Sequence, residues 1–375
     1  MRFNSLNFLT LTIITPTSVF YIMFNILNKK ALLQLFFAAI SLNLALPGNI
    51  FAENSASGNV SDEIFEIRVP DFTPIVYARA AAAFFRAYER STGKPIRKGD
   101  KGRVGIKVYT NSGAGLSTPT ELVDGVIDQL VRRGYARKDI TIVDMSRRKL
   151  RESGFLPKRS AIKAGAADDY KGVQVADIES GKFFDSRWFY DNPLSPQSVR
   201  GAAANDIYNP ELRKSYLPVP LFLSVDFWIN LPMVTDMEGL GVCAAIGNTS
   251  IWNMSNNERF LKSPANASMA AAEVCSIPEL KDSNLFTILT LEKGQFVGGS
   301  VFNSRCTFRE NLILMSTNPV VLDYIAWELI NKYRSMNKFD KIEPMPALLN
   351  YCKELKIGDW DPRAAKRTRL PLRRK

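Results

Sequence analysis

The first clear pattern of apolar and polar positions lies in residues 104–145. Residues 104–109 are rich in β-branched side chains and predict a strand, and residues 140–145 predict a second one. Between them, apolar side chains at 122–131 recur every three or four positions, which predicts an amphipathic helix. Strand, helix and strand in this order form a βαβ unit, so we expect two parallel strands joined by a right-handed crossover.

A similar pattern recurs near the carboxyl end of the chain. Residues 311–316 predict a strand, and Asn318, which a proline follows, supplies the N-cap of a long amphipathic helix. Two further apolar runs, 221–231 and 285–291, predict buried strands.

These elements predict an α/β fold with a mixed, largely parallel sheet flanked by helices. We expect residues 53–360 to form a single domain, with a further helix at 74–90. The segment at about 158–220 is rich in Gly, Asp, Pro and aromatic residues and shows no clear period. We therefore expect a long, irregular insertion there.

The loop between the first strand and its helix is the first candidate ligand site. It carries the polar side chains of Asn111, Ser112, Ser117 and Thr118, and Thr118 begins an apparent capping box with Glu121. Ligands of open α/β sheets bind beyond the carboxyl ends of strands, and helix amino termini favour anions. The loop therefore favours a phosphate or a carboxylate, and the alternative is a self-capped connection without a ligand.

The helix that Asn318 caps has a second amino terminus of this kind. We expect it at the same edge of the sheet as the loop 111–118, so that both helix ends face one ligand. The predicted site depends on this convergence.

The chain contains no histidine, which excludes Ser-His-Asp and Cys-His catalysis and histidine-ligated metals. No two of its four cysteines are spaced as C-x-x-C, so there is no self-contained iron–sulfur or zinc motif, and we predict no metal site. The cofactor, if there is one, stays unknown. The cysteines could form up to two disulfides or remain buried thiols.

The formal net charge of +12 is concentrated at the two ends of the chain. Residues 1–52 carry three basic and no acidic residues, residues 363–375 carry seven basic and no acidic residues, and the rest is close to neutral. We expect residues 361–375 to form a basic, disordered tail, with an anionic envelope polymer or lipid as a possible partner. Nucleic acid is a poor candidate, because the predicted export of the protein separates it from the cell's nucleic acids.

The amino-terminal residues 1–52 have the organisation of an export signal. Lys29 and Lys30 precede the apolar run 31–46, and small Ala52 stands before a polar segment, so we expect cleavage after Ala52. The alternative is an uncleaved membrane anchor, and the true start could be Met23. The protein is therefore expected to be exported, to the periplasm or outside the cell.

Three blocks of the sequence together resemble a bacterial family known as domain of unknown function three-six-two. The first block is 98–144 with its glycine-bearing loop and STPTEL, the second is INLPMVTDMEGLGVCAAIGN and the third is STNPVVLDYIAWELINKYR. The resemblance extends over about residues 99–361. It implies an α/β fold and, as in many relatives, an export signal. Some relatives are fused to ferredoxin modules, but the family has no established reaction.

Lys107, Asp236, Asn248 and Asp323 match the pattern of that family, and the resemblance implies that they are site residues. The chain departs from the pattern around them. Relatives tend to have Lys and His on either side of the position of Asp236, Lys before that of Asn248, and Asp at the position of Asn318. The resemblance thus implies a divergent member that lacks the side chains best suited to chemistry.

Physical chemistry leaves two interpretations open for each of these residues. Asp236 and Glu238 could act as an acid–base pair or hold a hard cation, or they could lie in a solvated turn. Lys107 is either an inward functional lysine or a residue that protects a sheet edge. Asp323 lies in the first turn of a helix, where a carboxylate is stabilising in any case. Asn248 could contact a sugar or hold a loop through an Asx turn.

Two functions follow from these observations. The first is a non-catalytic binding or accessory protein of the cell envelope, because the lysine and histidine positions of the family are missing. The second is a histidine-independent enzyme that acts on a small anionic or sugar-like ligand at the carboxyl ends of the strands. Lys107, Asp236 and Glu238 are its candidate catalytic residues.

Overall fold

The computed structural model of the chain describes residues 63–192, 210–261 and 264–372. The predicted signal peptide or anchor lies outside the described residues, as do the last three residues of the basic tail. Within the described residues, no helix has both the length and the apolar character needed to span a membrane.

The described residues contain fourteen strands and eleven α-helices. The strands are β1 Glu63–Arg68, β2 Val104–Val108, β3 Ile140–Asp144, β4 Gln174–Asp177, β5 Phe189–Asp191, β6 Lys214–Tyr216, β7 Trp228–Leu231, β8 Val234–Met237, β9 Gly241–Cys243, β10 Asn284–Thr290, β11 Gly294–Gln295, β12 Thr307–Phe308, β13 Leu312–Ser316 and β14 Lys366–Arg369. The helices are α1 Pro74–Thr92, α2 Thr120–Val131, α3 Arg147–Glu152, α4 Arg159–Lys163, α5 Val219–Leu223, α6 Ala245–Thr249, α7 Glu258–Leu261, α8 Pro264–Ser276, α9 Pro278–Lys281, α10 Pro319–Met336 and α11 Ala347–Glu354.

Eight strands form one large sheet in the order β14–β1–β13–β10–β7–β2–β3–β4. The strands β10, β7, β2, β3 and β4 pair in parallel with their neighbours in that series. β13 is antiparallel to both β10 and β1, and β14 adds in parallel to β1. The predicted α/β fold with a mixed, largely parallel sheet is therefore confirmed, and β2 and β3 of the predicted βαβ unit are adjacent and parallel.

The reversed strand β13 separates the two helix ends that the sequence was expected to bring together. Its last residue, Ser316, pairs with Thr287, whereas its second residue, Ile313, pairs with Thr290 at the carboxyl end of β10. Asn318 therefore lies toward the amino edge of the parallel strands. The loop 111–118 follows the carboxyl end of β2, so the predicted convergence at one edge is wrong.

One face of the large sheet is apolar and is covered by α1 and α2. Its strand residues alternate along each strand, as Val104, Ile106 and Val108 do on β2, and they pack with both helices in one buried cluster. The two helices approach closely, since a Cβ added to Gly125 would lie 3.1 Å from the backbone of Ala78. This face carries the largest of the three buried apolar clusters in the described residues.

The opposite face carries polar as well as apolar side chains. It is covered by α6 and α10, against which α8 and α11 pack. A second sheet, in the order β12–β11–β8–β9, also packs on α10. The mixed character of this face is the feature that positions the candidate site.

Two sequence predictions about local structure differ from the structure. Residues 221–231, expected to form one strand, contain the end of α5 and then β7, because prolines at the start of α5 favour a helical turn. The segment 158–220, expected to be irregular, contributes β4 to the large sheet and contains the antiparallel strand pair β5 and β6. Gln174, at the start of β4, is exposed at the sheet edge, so the apolar pattern of a buried strand is absent there.

The basic tail is also partly ordered. Its residues Lys366–Arg369 form β14, and Lys366 and Arg367 make ion pairs of 3.1 Å and 2.6 Å with Glu63 and Glu66 of β1. Acidic residues on β1 thus neutralise basic residues about 300 positions away on the edge strand β14, which local sequence patterns do not reveal.

Candidate functional site

A row of polar residues crosses the mixed face of the large sheet. Lys107 on β2 lies beside Asn230 on β7, Asn230 beside Thr287 on β10, and Thr287 beside Ser316 on β13. All four side chains are buried. A buried polar group without a partner is destabilising by roughly 1–3 kcal/mol, so each of these side chains needs a hydrogen-bond partner.

Lys107 is fully buried and forms an ion pair with Asp144 at the end of β3. Its Nζ donates to Asp144 at 2.6 Å, to the backbone carbonyl of Val108 at 3.0 Å and to Asn248 Oδ1 at 3.1 Å. Asp144 Oδ2 in turn accepts from the amide and the hydroxyl of Thr110, both at 2.6 Å. An ammonium has three N–H donors, so all the donors of Lys107 are engaged. Burial lowers the pKa of Lys107, and the charge of Asp144 opposes this effect.

Asn248 connects the ion pair to the rest of the polar row. Its Nδ2 donates to Asn230 Oδ1 at 2.8 Å, and Asn230 donates to the carbonyl of Ala245 at 3.0 Å and to Thr287 at 3.3 Å. The amide groups therefore link three strands and α6 in one network. Asn248, a predicted ligand-binding residue, is a buried member of this network with both amide atoms engaged.

Asp323 holds α6 in place from the fifth residue of α10, one turn further into the helix than the sequence predicted. Its carboxylate accepts hydrogen bonds from the backbone amides of Ala245 at 2.5 Å and Ile246 at 3.2 Å. The side chain is fully buried, and this desolvation raises the pKa of Asp323 to about 7 even though both hydrogen bonds oppose the shift. The structure therefore gives Asp323 the role of anchoring the start of α6, whose helix presents Asn248 to Lys107.

A cavity of about 70 Å³ adjoins this network, and we call it the amino-edge cavity. Its lining residues are Lys107, Phe222, Trp228, Asn230, Ile246, Thr249, Cys275, Leu280, Lys281, Asn284, Thr317, Pro319 and Ile357. Trp228 and Asn284 begin β7 and β10, and Thr317 follows β13, so the cavity lies at the amino edge of the parallel strands.

The amino-edge cavity runs from buried to exposed residues. Lys107, Asn230 and Ile246 at one end are fully buried, whereas Asn284 and Thr317 are partly exposed and Lys281 is exposed. The cavity thus extends from the protein surface toward the buried ion pair.

Three polar groups in this wall have no partner among the described residues. Asn284 Oδ1 is buried without a hydrogen bond. The ammonium of Lys281 and the hydroxyl of Thr317 make no hydrogen bond or ion pair with the part of the chain that the structure describes. The wall contains no carboxylate, and the charge of Lys107 is balanced by Asp144, so the unbalanced charge of the wall is positive.

The predicted ligand loop 111–118 is held mainly by its own contacts. Thr118 Oγ1 accepts from the amide of Tyr109 at 2.8 Å and donates to the carbonyl of Leu231 at 2.6 Å, so it joins β2 to β7. It does not cap α2, which begins after Pro119 without a side-chain cap, and the predicted capping box is wrong. Ser112 is buried with its hydroxyl 2.8 Å from that of Tyr109.

A cleft of about 240 Å³ lies beside this loop at the carboxyl edge. Ser117 and Thr118 line it, together with Glu121, Glu292 and Lys293. Two carboxylates against one ammonium disfavour the anion that the sequence predicted. The Nδ2 of Asn111 is buried without a partner in the described residues, but Asn111 does not line the cleft.

Asp236 and Glu238, predicted as an acid–base pair or as part of a solvated turn, lie in different surroundings. Asp236 lies on β8 in the second sheet, where it accepts from the amide of Gly299 at 2.8 Å and lies 3.5 Å from Arg334. Burial raises the pKa of Asp236, while its hydrogen bonds and Arg334 oppose the shift. Glu238 is exposed in the turn after β8.

Asn318 caps α10, as its sequence context predicted. Its Oδ1 accepts from the amides of Val320 and Val321 at 2.9 Å and 3.3 Å, and its Nδ2 donates to the carbonyl of Asp359 at 2.8 Å. Because the cap already occupies these two amides, they are not available to an anion.

All four cysteines are buried, and none of them forms a disulfide. Burial raises the pKa of Cys243 and of Cys275 to about 12, so both thiols stay protonated near neutral pH. In the described residues, no three His, Cys, Asp or Glu side chains lie close enough together to hold a metal ion.

Several residues of the site were not singled out from the sequence. Asp144 lies near the carboxyl end of a predicted strand, which is adjacent to the strand of Lys107, so its position was a usable signal. Asn230 is a polar residue within the apolar run 221–231, and this position was also a usable signal. Lys281, Asn284 and Thr317 carry no local signal, because only the tertiary fold brings them together.

Comparison with protein-family models gives no match to the chain, and comparison with curated proteins gives none either. The resemblance to domain of unknown function three-six-two therefore stays a prediction.

Proposed function

We propose that this protein is a non-catalytic binding protein that holds a small anionic or sugar-like molecule in the amino-edge cavity. The observation that carries the proposal is the cavity itself, which extends from the exposed Lys281 to the buried Asn230 and has no carboxylate in its wall. The side chains of Lys281 and Thr317 make no hydrogen bond or ion pair with the described residues, so a molecule in the cavity can contact both.

The state of the buried charged groups supports a non-catalytic role. All three donors of Lys107 are engaged, and Asp144 accepts three hydrogen bonds. The oxygens of Asp323 accept from the backbone of α6. A general acid or base must exchange its proton with a substrate, and these groups would first have to break the contacts that hold the fold.

A histidine-independent enzyme acting on the same kind of ligand is the second candidate. One observation favours it, which is that Lys107 forms part of the cavity wall. If its proton moved to Asp144, the neutral amine could act as a nucleophile or base toward a bound molecule. The binding protein and the enzyme differ in one measurable way, since only the enzyme would convert the ligand.

A binding screen tests the proposal. Small carboxylates, phosphates and polyols are added to the purified protein, and the unfolding temperature and heat of binding are measured. We expect at least one compound to bind, and Asn284→Leu to weaken it, whereas Asn311→Leu at an exposed asparagine outside the cavity leaves it unchanged. If no compound binds, or if both variants bind equally, the cavity is not a ligand site.

The same samples distinguish the two candidates. Each bound compound is incubated with protein at high concentration and followed by NMR for new resonances. An unchanged compound supports the binding protein. Conversion that Lys107→Met abolishes, in a protein that still binds, supports the enzyme.

We further propose that the protein is exported and that residues 1–52 are removed or retained as an anchor. The support is the sequence of those residues alone. Cell fractionation combined with intact mass spectrometry tests it. Mature protein in the envelope fraction that begins at Glu53 supports cleaved export, full-length protein in the membrane supports an anchor, and full-length protein in the cytoplasm contradicts both.

Binding of an anionic polymer or lipid by the basic tail is also a proposal. Three of its seven basic residues, Arg363, Lys366 and Arg367, already pair with carboxylates of this chain. Arg369 is exposed, and the remaining three lie beyond the described residues. Sedimentation with anionic and neutral vesicles tests the proposal, with a chain truncated after Pro371 as control.

A further inference from the structure

We propose that Asp323 and α6 form a pH-dependent switch in the wall of the amino-edge cavity. The neutral carboxyl group of Asp323 keeps α6 packed against α10, and its ionised form favours an arrangement in which α6 has moved and water reaches the carboxylate. This inference goes beyond the proposed function, because it does not depend on which molecule the cavity holds. It rests on the surroundings of Asp323, on the position of α6 and on the closeness of the cavity.

Asp323 is a fully buried carboxylate without a cation beside it in the described residues. It accepts hydrogen bonds from the amides of Ala245 at 2.5 Å and Ile246 at 3.2 Å, and no lysine or arginine of the described residues forms an ion pair with it. Aspartate is almost never fully buried unless it is paired, because its charge loses its hydration. Burial accordingly raises the pKa of Asp323 to about 7, so the carboxyl group changes its charge near neutral pH.

Three buried thiols are the titratable groups on which the charge of Asp323 acts. They belong to Cys243 on β9, Cys275 on α8 and Cys352 on α11, and the negative charge of Asp323 raises the pKa of each. Burial raises these pKa values further, so all three thiols are neutral when Asp323 ionises. None of them can balance the charge of the carboxylate.

The charged residues around α10 do not balance it either. α6, β10 and β13 contain no charged residue. The charged residues of the other neighbouring elements are exposed or paired elsewhere, and they are Lys353 and Glu354 of α11, Asp236 of β8, Lys107 of β2 and Glu328 of α10 itself. Among the described residues, no charge compensates an ionised Asp323, so its main source of stabilisation is water.

α6 connects Asp323 to the inner end of the amino-edge cavity. Ile246 and Thr249 of this five-residue helix line the cavity. Asn248 of the same helix accepts from Lys107 Nζ at 3.1 Å and donates to Asn230 at 2.8 Å. A displacement of α6 therefore changes the cavity wall and the contacts of Lys107 together.

The carboxylate lies directly behind the cavity wall. Pro319 lines the cavity and precedes Asp323 by about one turn of α10, so the two residues lie on the same side of that helix. Ile246, whose amide bonds Asp323, also lines the cavity. Because the cavity reaches the surface at Lys281, a displacement of α6 would bring water to the carboxylate while the large sheet stays intact.

The direction of the switch follows from proton linkage. The pKa of Asp323 is about 7 when α6 is packed and returns toward its ordinary value of 3.8 when water reaches the carboxylate. The packed arrangement therefore binds the proton more tightly, and its advantage is lost as the pH rises from the lower value through the higher one. We expect the ratio of open to packed molecules to rise about tenfold between pH 6 and pH 8 and to change little at higher pH.

Labelling of Cys275 by a pyridyl disulfide reagent tests the switch. The Cys275 thiol lies 3.4 Å from Thr249 Oγ1 and donates to the carbonyl of Ile246 at 3.7 Å, so α6 covers it. Cys306 is the matched control, because its exposed fraction is also 7% but it lies next to β12 of the second sheet. Peptide mass spectrometry gives the labelling rate of each thiol, and dividing it by the rate in urea at the same pH removes the effect of pH on the thiol itself.

We expect the normalised rate of Cys275 to rise about tenfold between pH 6 and pH 8, with no matching rise at Cys306. The charge of Asp323 raises the pKa of the Cys275 thiol, so ionisation alone would slow the labelling, and a faster rate reports movement of α6. Asp323→Asn should abolish the rise, and Asp323→Ser is the second variant if the asparagine variant does not fold. Asp100→Asn, at an exposed aspartate, should retain it.

Three results would overturn the inference. Equal rises at both thiols would indicate unfolding of the whole domain rather than movement of α6. A rise at Cys275 that Asp323→Asn retains would assign the pH dependence to another group. A normalised rate of Cys275 that does not change with pH would show that α6 stays packed in both charge states of Asp323.

Discussion

The ion pair between Lys107 and Asp144 provides the sharpest test of the structure. We predict that Lys107→Met and Asp144→Asn are each strongly destabilising, and that the double variant is much less destabilised than the sum of the two. Methionine retains the length of the lysine side chain, and asparagine retains the shape of the carboxylate. Each single variant therefore removes one charge and leaves the other buried.

The magnitude follows from the geometry. At a separation of 2.6 Å and an effective dielectric constant of about 20, the attraction is on the order of 6 kcal/mol, and it is offset by the desolvation of both charges. Both side chains are fully buried, so breaking the pair leaves an uncompensated charge at a cost of about 3–5 kcal/mol. Removal of both charges avoids that penalty, and we expect a coupling free energy of at least about 2 kcal/mol.

Urea denaturation followed by far-UV circular dichroism gives the free energy of unfolding for the four proteins of this cycle. The surface pair Lys171–Asp124, which is 2.7 Å long but largely exposed, serves as the matched control and should show a coupling below about 1 kcal/mol. If the two buried substitutions prove additive, the charges do not interact as the structure indicates. If Lys107→Met leaves stability unchanged, Lys107 is not a buried, paired cation.

Three further predictions concern other parts of the site. The pKa of Asp323 is about 7 in the folded protein, above its unfolded value, so the folded state binds the carboxyl proton more tightly and should lose about 2–3 kcal/mol of stability between pH 5 and pH 8. Urea titrations at several pH values should show that Asp323→Asn removes this pH dependence. If the dependence is unchanged, it belongs to another group. Gly105→Ala should lower the unfolding temperature and shift the indole N–H resonance of Trp228, because the new Cβ would lie 2.1 Å from that ring. The control is Gly134→Ala, where φ is positive but no atom lies within 4 Å of the new Cβ, so it shows the backbone effect without a clash. Equal decreases in unfolding temperature for the two variants would contradict the clash. Asn318→Ala should cost about 1–2 kcal/mol through loss of the α10 cap, and Asn318→Asp, which can still accept from both amides, should recover most of it in the same denaturation assay.

The sequence allows the prediction of the elements that have a strong local period. The strands around Lys107 and Asp144 and the helix that Asn318 caps were all predicted from apolar spacing or from the N-cap and proline signal. The direction of β13 was not predictable in this way. An apolar pattern of period two is the same for a parallel and an antiparallel strand, so it does not show at which edge the following helix begins.

Individual site residues were predictable only where a polar residue interrupts an apolar segment of the sequence. Lys107 stands out because a lysine within an apolar strand needs a special environment, and the structure provides Asp144. Thr118 was misinterpreted because Thr, Pro and Glu at its spacing satisfy the rules for a capping box. The hydroxyl instead bonds Leu231 of a strand more than 100 residues away, a partner that no local rule includes.

The reversal of β13 also explains why the candidate cavity lies at the amino edge of this sheet. In a fully parallel sheet, helix amino termini and connecting loops gather beyond the carboxyl ends of the strands. Here β13 ends among the strand beginnings, so Thr317 and the start of α10 stand beside Asn284 and Trp228. The wall of that space includes Asn284 and Lys281 as well as apolar side chains. One antiparallel strand thereby moves the candidate binding site to the edge opposite the one that the parallel topology favours.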